Sequence, residues 1–291
     1  MHVHLVDGTY ELFRHYFAVP GHLDDGSVEV GAVRGVLGSV LMMLEEGATH
    51  VGVATDHVVE SFRNDLWGGY KTSGGMEPEL LDQFPILEDA LEALGVAVWP
   101  MVELEADDGL ASAAAVAAAD PRVERVFVCT PDKDLGQCVH DPVVVQQDRR
   151  TGELRDEAGV LAKFGVAPAS IPDYLALVGD SADGFPGLPG WGAKSTAAVL
   201  RRYGHLEAIP ERAHQWDVDV RGATKLATTL AEQRDLAALF KVLATLRTDA
   251  DVGTVDGWEW RGPGAELGEW AQRLGSRTLL RRAEKLAATR G

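Results

Sequence analysis

Residues 173–204 read DYLALVGDSADGFPGLPGWGAKSTAAVLRRYG, and their grammar differs from that of the chain before them. An apolar helical stretch ends near Val178, a turn rich in glycine and proline runs through Pro186 to Gly192, and a second helix is expected from about Ala193. No convincing strand follows Ile171, so a boundary is expected near residue 170. GWGAKST tempts one to read a phosphate-binding P-loop, but that pattern needs Gly directly before the Lys, where Ala193 stands, and a strand ahead of it. An NTPase is therefore rejected. What remains is a helix-hairpin-helix pattern in which Gly190 and Gly192 flank Trp191. Such a turn can aim backbone N–H groups outward at a helix N-terminus and hold a phosphate. Lys194, Arg201 and Arg202 are the only charged residues from Pro186 to Gly204. An ordinary helix connection is the competing reading.

Ahead of this segment, short apolar runs alternate with helical patterns. The runs Val3–Val6, Thr49–Thr55, Val96–Trp99, Arg125–Thr130 and Val143–Gln147 predict strands; Val33–Glu46, Glu79–Leu94 and the alanine-rich Ala106–Ala119 predict helices. That rhythm implies an α/β core, a mostly parallel sheet with helices on both faces, whose ligands collect at the carboxyl ends of the strands. Asp7, Asp56 and Asp132 each fall just past a strand end, so three carboxylates are expected to point toward one crevice. Glu105, Asp107 and Asp108 fall on the first turn of a helix, where one acid serves as a cap and three exceed that need.

The 291 residues suffice for one or two domains with a sizeable core, and a composition 46% hydrophobic and 25% charged excludes disorder and collagen-like repeats. No apolar run approaches the roughly 18 residues of a membrane span, and MHVHLVDG lacks the features of a secretory signal, so a cytoplasmic protein without membrane partners is expected. Cys129 and Cys138 are expected as buried thiols.

A net charge of -18 argues against polyanion binding on its face. Distribution matters more. Between Arg261 and Gly291 seven basic residues face three acids, while Asp7, Asp56, Glu105, Asp107, Asp108, Asp132, Asp134, Asp180 and Asp183 carry charge equal to half the net excess. Asp180 and Asp183, three apart, can face one way on a helical turn. Taken singly, each acid reads as a solvated loop residue. Together, oxygen donors with no paired His or Cys spacing select a hard ion, Mg2+ or Mn2+, over Zn2+. Two such ions about 4 Å apart can activate a water and stabilise a leaving oxygen, which makes metal-assisted phosphate-ester hydrolysis the reaction class.

The motifs LVDG with Arg14, ATD ending at Asp56, FRNDLWGGYK, LEADDGLAS, TPDKDLGQ and YLALVGDSADGFPGLPGWGAKSTA occur in unbroken order over approximately residues 1–250. In that order they resemble the 5'-nuclease family, which includes the 5' to 3' exonuclease domain of bacterial DNA polymerase I and the phage flap endonucleases. The resemblance implies a PIN-like core over residues 1–170 with an arch near 63–85, a helix-hairpin-helix (H3TH) subdomain over 171–255 and a basic segment over 256–291. It implies two or more Mg2+ or Mn2+ ions, with Asp7, Asp56, Glu105, Asp107, Asp108, Asp132 and Asp134 building the nearer metal sites and Asp180 and Asp183 the outer side. Lys71 matches a lysine contacting the scissile phosphate, Arg14 a second phosphate-binding cation, and Tyr70 an aromatic that stacks on a terminal base.

DNA contacts are expected from Gly190, Gly192, Lys194, Ser195, Arg201 and Arg202, with K+ as a further expectation at the hairpin. The implied activity is 5' to 3' exonuclease and flap endonuclease, in replication or repair, on DNA with 5' ends, flaps or branched junctions, by a monomer with no polymerase domain following. One departure from the family pattern stands out: YKTSGGMEP puts Gly74 where an Arg is common, which removes a basic arch contact. The rival readings are a PIN-type ribonuclease, which has no need of the hairpin, and a DNA-structure binder without catalysis.

Overall fold

The computed structural model describes residues 1–290. Along the chain run β1 (His2–Asp7), α1 (Gly8–Ala18), α2 (Gly31–Glu45), β2 (His50–Asp56), α3 (Phe62–Leu66), α4 (Pro78–Leu81), α5 (Gln83–Leu94), β3 (Ala97–Met101), α6 (Ala106–Ala119) and β4 (Arg125–Cys129). They are followed by β5 (Val144–Gln147), β6 (Leu154–Arg155), α7 (Glu157–Phe164), α8 (Ile171–Val178), α9 (Ala193–Tyr203), α10 (Ala223–Glu232), α11 (Arg234–Ala244), α12 (Leu267–Arg273) and α13 (Arg277–Arg290). These elements form two compact units that are not contiguous in sequence: residues 1–59, 73–130 and 248–291 make unit 1, and residues 60–72 and 131–247 make unit 2.

Unit 1 is an α/β layer. Its strands lie in the order β3-β2-β1-β4 and every pair is parallel, with Leu5 opposite both Gly52 and Val128. The chain adds strands on one side of β1 and then crosses to the other, so the topological switch point lies beside β1, where open α/β sheets hold their ligands. That register sets Asp7 at the carboxyl end of β1 and Asp56 at that of β2. The core is built from the apolar stripe of α2 (Val33, Val36, Leu37, Val40, Leu41, Leu44), from Phe84, Leu87, Leu91 and Leu94 of α5, and from Val51 and Val53 of β2. Leu267, Leu274, Leu279 and Ala283 bring the C-terminal helices into the same core. The arginines of that basic segment serve the fold: Arg273 binds Asp24, Arg282 binds Glu45, and Arg290 donates to the carbonyl of Ala48 at 2.9 Å.

Unit 2 is mainly helical, with the short antiparallel pair β5–β6. Its core joins Ile171, Leu175 and Leu177 of α8, Val199 and Leu200 of α9, and Phe240 and Leu243 of α11 around Phe185, Leu188 and Trp191 of the hairpin.

Several expectations are corrected. The helix expected over Glu79–Leu94 is two helices that break at Asp82. Asp180 and Asp183 sit on a tight turn closed by an isolated bridge, Asp180 and Phe185 exchanging N–H···O bonds of 2.8 and 3.0 Å, rather than on a helical turn. Gly184 explains this: its φ of +82° is left-handed, and a Cβ there would lie 2.0 Å from the Gly69 carbonyl oxygen. Cys129 is buried as expected, but Cys138 is partly exposed. Among the described residues no helix is long and apolar enough to cross a membrane.

Gly8 shows how the fold places the first acid. It begins α1 directly after Asp7, and a Cβ there would meet Thr55 Cγ2 at 2.7 Å and the Ala54 carbonyl oxygen at 2.8 Å. Gly8→Ala is therefore expected to destabilise the protein by about 1–3 kcal/mol through forced separation of α1 from β2. The urea midpoint measures this, and an unchanged midpoint would mean that α1 accommodates the methyl without cost.

Candidate metal centre

In unit 1 the acids act as helix caps. Asp7 accepts from the N–H of Tyr10 at 2.8 Å and from the Thr130 hydroxyl at 2.9 Å, so one carboxylate caps α1 and ties the ends of β1 and β4 together. Asp56 accepts from the N–H of Ala106 at 2.7 Å, the first residue of α6, while its own N–H donates to Thr9 Oγ1 at 2.8 Å. Asp108 accepts from the N–H of Glu105 at 3.0 Å, and both are buried. Asp107, between them, is half-buried. Two α-helices thus present N-termini to these acids.

Sequence reasoning missed Glu88 here. This buried carboxylate accepts from Thr55 Oγ1 at 2.7 Å and pairs with His57 Nδ1 at 2.7 Å, bracing the chain on both sides of Asp56. No local motif marks it, since it lies 32 residues further along the chain.

Unit 2 treats its acids differently. Asp132 Oδ1 accepts from the N–H of Asp134 at 2.9 Å, which turns the chain into a short 3-10 helix, and Gln146 donates to the Asp132 carbonyl. Asp134, Asp180 and Asp183 are all buried and each offers a carboxylate oxygen, these oxygens lying within 4.8 Å of one another. The turn that carries Asp183 is stapled to the Lys71 segment: Lys71 N–H donates to the Asp183 carbonyl at 3.0 Å and Trp67 Nε1 donates to that of Gly184 at 3.1 Å. Lys71 Nζ then lies 3.1 Å from Asp183 Oδ1. Lys133 Nζ, which sequence reasoning passed over, lies 2.7 Å from Asp180 Oδ2.

Asp134 Oδ1 is buried and has no hydrogen-bond partner among the described residues. Burial, and then the charges of Asp132, Asp183 and Asp180, push the Asp134 carboxyl well above the ordinary carboxylate range, with Lys133 pulling the other way. Burial alone would lower the Lys133 ammonium, but its bond to Asp180 and the charges of Asp134, Asp180 and Asp132 more than offset that and raise it. An orphaned buried oxygen within a set of oxygen donors fits a hard divalent cation.

The remaining expected site residues are placed as follows. Tyr70 is 4% exposed and belongs to the core of unit 2, so its ring has no face for a base; an apolar ring gains more from that core than from solvent. Its contribution is to the lysine beside it, whose Nζ lies 5.7 Å from the ring centroid. Arg14 pairs with the fully buried Glu11 three residues earlier on α1. At the hairpin, Gly190 has φ +88°, which favours glycine, whereas Gly192 is extended at φ -133° and its Cβ position is open, so only Gly190 is required by the turn. Ser195 Oγ accepts from the N–H of Gly192 and donates to its carbonyl. Arg202 is engaged by Asp217 at 3.0 Å and Arg201 by the Gly165 carbonyl at 3.3 Å. Lys194, Arg221 and Lys225 line a groove of about 1030 Å³ beside Gly190 and Gly192; Arg221 and Lys225 escaped notice because no motif contains them.

The family model for the N-terminal, resolvase-like domain of 5'-3' exonucleases matches residues 2–165, and the model for their C-terminal SAM fold matches residues 166–266. DNA polymerase I of Bacillus subtilis (strain 168) is 34% identical over 266 residues, covering 89% of this chain and 29% of that protein. The chain thus spans less than a third of that relative. A 5'-3' exonuclease of Aquifex aeolicus (strain VF5) is 30% identical over 252 residues, covering 86% of this chain and 83% of that one. Among solved structures, the phage T5 flap endonuclease in a pseudo-enzyme-product complex with DNA and metal ions has a TM-score of 0.65 at 18% identity, covering 99% of this chain and 98% of that one.

Because Asp134 is buried among like charges, Asp134→Asn should raise the melting temperature of the protein in EDTA by about 2–4 °C, near 1 kcal/mol for a chain of this size. Differential scanning calorimetry checks this. A lowered midpoint would show that the carboxylate is needed for the fold itself.

Proposed function

Since the chain belongs to the 5'-3' exonuclease family, we propose that it hydrolyses DNA phosphodiesters at 5' ends and 5' flaps with divalent ions, Mg2+ or Mn2+, held by its clustered acids. The observation that carries this reading is the buried group of Asp134, Asp180 and Asp183 with its orphaned Asp134 oxygen, a charge arrangement that a cation would relieve. A bound divalent ion supplies electrophilic stabilisation of phosphate oxygens and a more acidic water. Asp7, Asp56, Glu105, Asp107 and Asp108 of unit 1 would hold one ion, and Asp132, Asp134, Asp180 and Asp183 of unit 2 another. The similarly folded phage T5 enzyme was solved with DNA and metal ions.

The chain's own groups would do the rest. Lys71, steered by the Asp183 carbonyl and the Tyr70 ring, neutralises charge on the reacting phosphate, and Arg14 supplies a second phosphate contact. The hairpin backbone at Gly190, with Lys194, Arg221 and Lys225 around the groove beside Gly192, holds duplex phosphates without reading sequence. K+ at the hairpin belongs to the same proposal. Binding of this kind is salt-sensitive even in a protein of net charge -18, because counterion release depends on the few cations that meet phosphates.

A 5'-labelled flap duplex incubated with the protein tests the proposal: cleavage is expected in Mg2+ or Mn2+ and none in excess EDTA. Cleavage that persists in the chelator would refute the metal reading, and cleavage of single-stranded RNA alone would refute the DNA reading.

The hairpin has its own test. As the turn does not require glycine at position 192, Gly192→Val should fold normally yet weaken duplex binding about tenfold, equally for unrelated sequences, by blocking close approach of the backbone. Unchanged affinity in equilibrium binding would remove the hairpin from the DNA contact.

A further inference from the structure

The acid group of unit 2 is accompanied by two ammonium groups, and they differ in how firmly they are held. Lys71 is fixed through its own backbone, whose N–H binds the Asp183 carbonyl at 3.0 Å, and through the neighbouring Tyr70 ring. Lys133 lies between Asp132 and Asp134 in sequence, so it cannot leave the neighbourhood of the acids, yet its side chain is 32% exposed and can swing into water. Its Nζ is 2.7 Å from the buried Asp180 Oδ2, so the contact is an ion pair between a buried acid and a tethered cation. The third acid, Asp134, keeps an oxygen that neither lysine satisfies.

We propose that Lys133 is the internal counter-ion of the Asp134, Asp180 and Asp183 group: it holds Asp180 in the metal-free protein, is displaced when a divalent cation binds there, and so lowers the affinity of the group for that cation. The inference rests on the reading of these acids as ligands of a divalent ion. Two charges of the same sign cannot both sit against Asp180, because Coulomb repulsion at contact distances in a buried setting amounts to several kcal/mol. The swing of Lys133 into solvent is the low-cost way out, since a flexible ammonium is readily hydrated. Lys133 is then a positioning residue whose effect on catalysis passes through the metal. It sets a threshold: the site stays charge-compensated at low divalent ion concentration and loads only when the ion outcompetes the tethered ammonium. The alternative role, in which Lys133 holds the acids together and so prepares them for the ion, has the opposite sign.

The test is direct Mn2+ binding to the full chain without DNA, at fixed pH and ionic strength, followed by the electron paramagnetic resonance signal of free Mn2+. Lys133→Met is expected to bind Mn2+ about tenfold more tightly at one class of site, with Lys133→Gln behaving alike and Lys133→Arg staying near wild type. Should Lys133→Met fail to fold without metal, Lys133→Gln, which keeps a hydrogen-bond donor, carries the measurement. Unchanged or weaker Mn2+ binding in folded Lys133→Met or Lys133→Gln overturns the proposal. Asp183→Asn separates the two levels. If it removes a Mn2+ site while the Lys133 variants bind as wild type, only the counter-ion role fails; if wild type and Asp183→Asn bind Mn2+ identically, the metal reading of the group falls and this inference with it.

Discussion

Carboxylates crowded into a buried space repel one another, and the energy of that repulsion must be met by something. In this chain Asp134, Asp180 and Asp183 bring oxygens within 4.8 Å of one another, and Lys71 and Lys133 stand against them. Much of the surrounding structure exists to hold that arrangement. Gly184 takes a left-handed backbone so that Asp183 can turn inward, Trp67 and Lys71 are stapled to that turn, and Gln146 fixes the loop from which Asp134 rises. Nothing in the packing alone calls for three acids at this spot, whereas the proposed divalent cation would.

The two units handle acidity by different physics. In unit 1 Asp7, Asp56 and Asp108 accept N–H groups at helix N-termini. In unit 2 the buried acids lean on ammonium groups, and one oxygen has nothing. A net charge of -18 is compatible with the proposed DNA substrate, since clustered negative charge would become an attractive surface once cations occupied it.

What was legible in the sequence follows from the range of the forces concerned. Strand runs such as Val3–Val6 and Arg125–Thr130 come within a residue or two of the observed strands, because apolar periodicity is local, and the parallel sheet follows from their alternation with helices. Asp7 and Asp56 could be picked out because a strand end is a sequence feature. The roles of Tyr70, Arg202 and Lys133 could not, because each depends on a partner distant in sequence or on burial: the core around Phe185 and Phe240, the Asp217 carboxylate, and Asp180. The turn at Asp180–Phe185 was read as helical because i, i+3 spacing serves both; only the position of Gly69 against Gly184 decides it. Asp7 serves twice, as the acid that ends β1 and as the N-cap of α1, and its place at a strand end hides the helix that follows.

The buried acids of unit 2 repel one another, and the proposed divalent cation would relieve that repulsion. Thermal unfolding of the wild-type protein in EDTA and in saturating Mn2+ tests it most directly, as a ligand that binds only the folded state raises the midpoint by mass action. The account requires a higher midpoint in Mn2+, increasing with its concentration and absent in an equal concentration of Na+. An identical midpoint in EDTA and Mn2+ would contradict it, since the acids would then hold their charge without need of a metal.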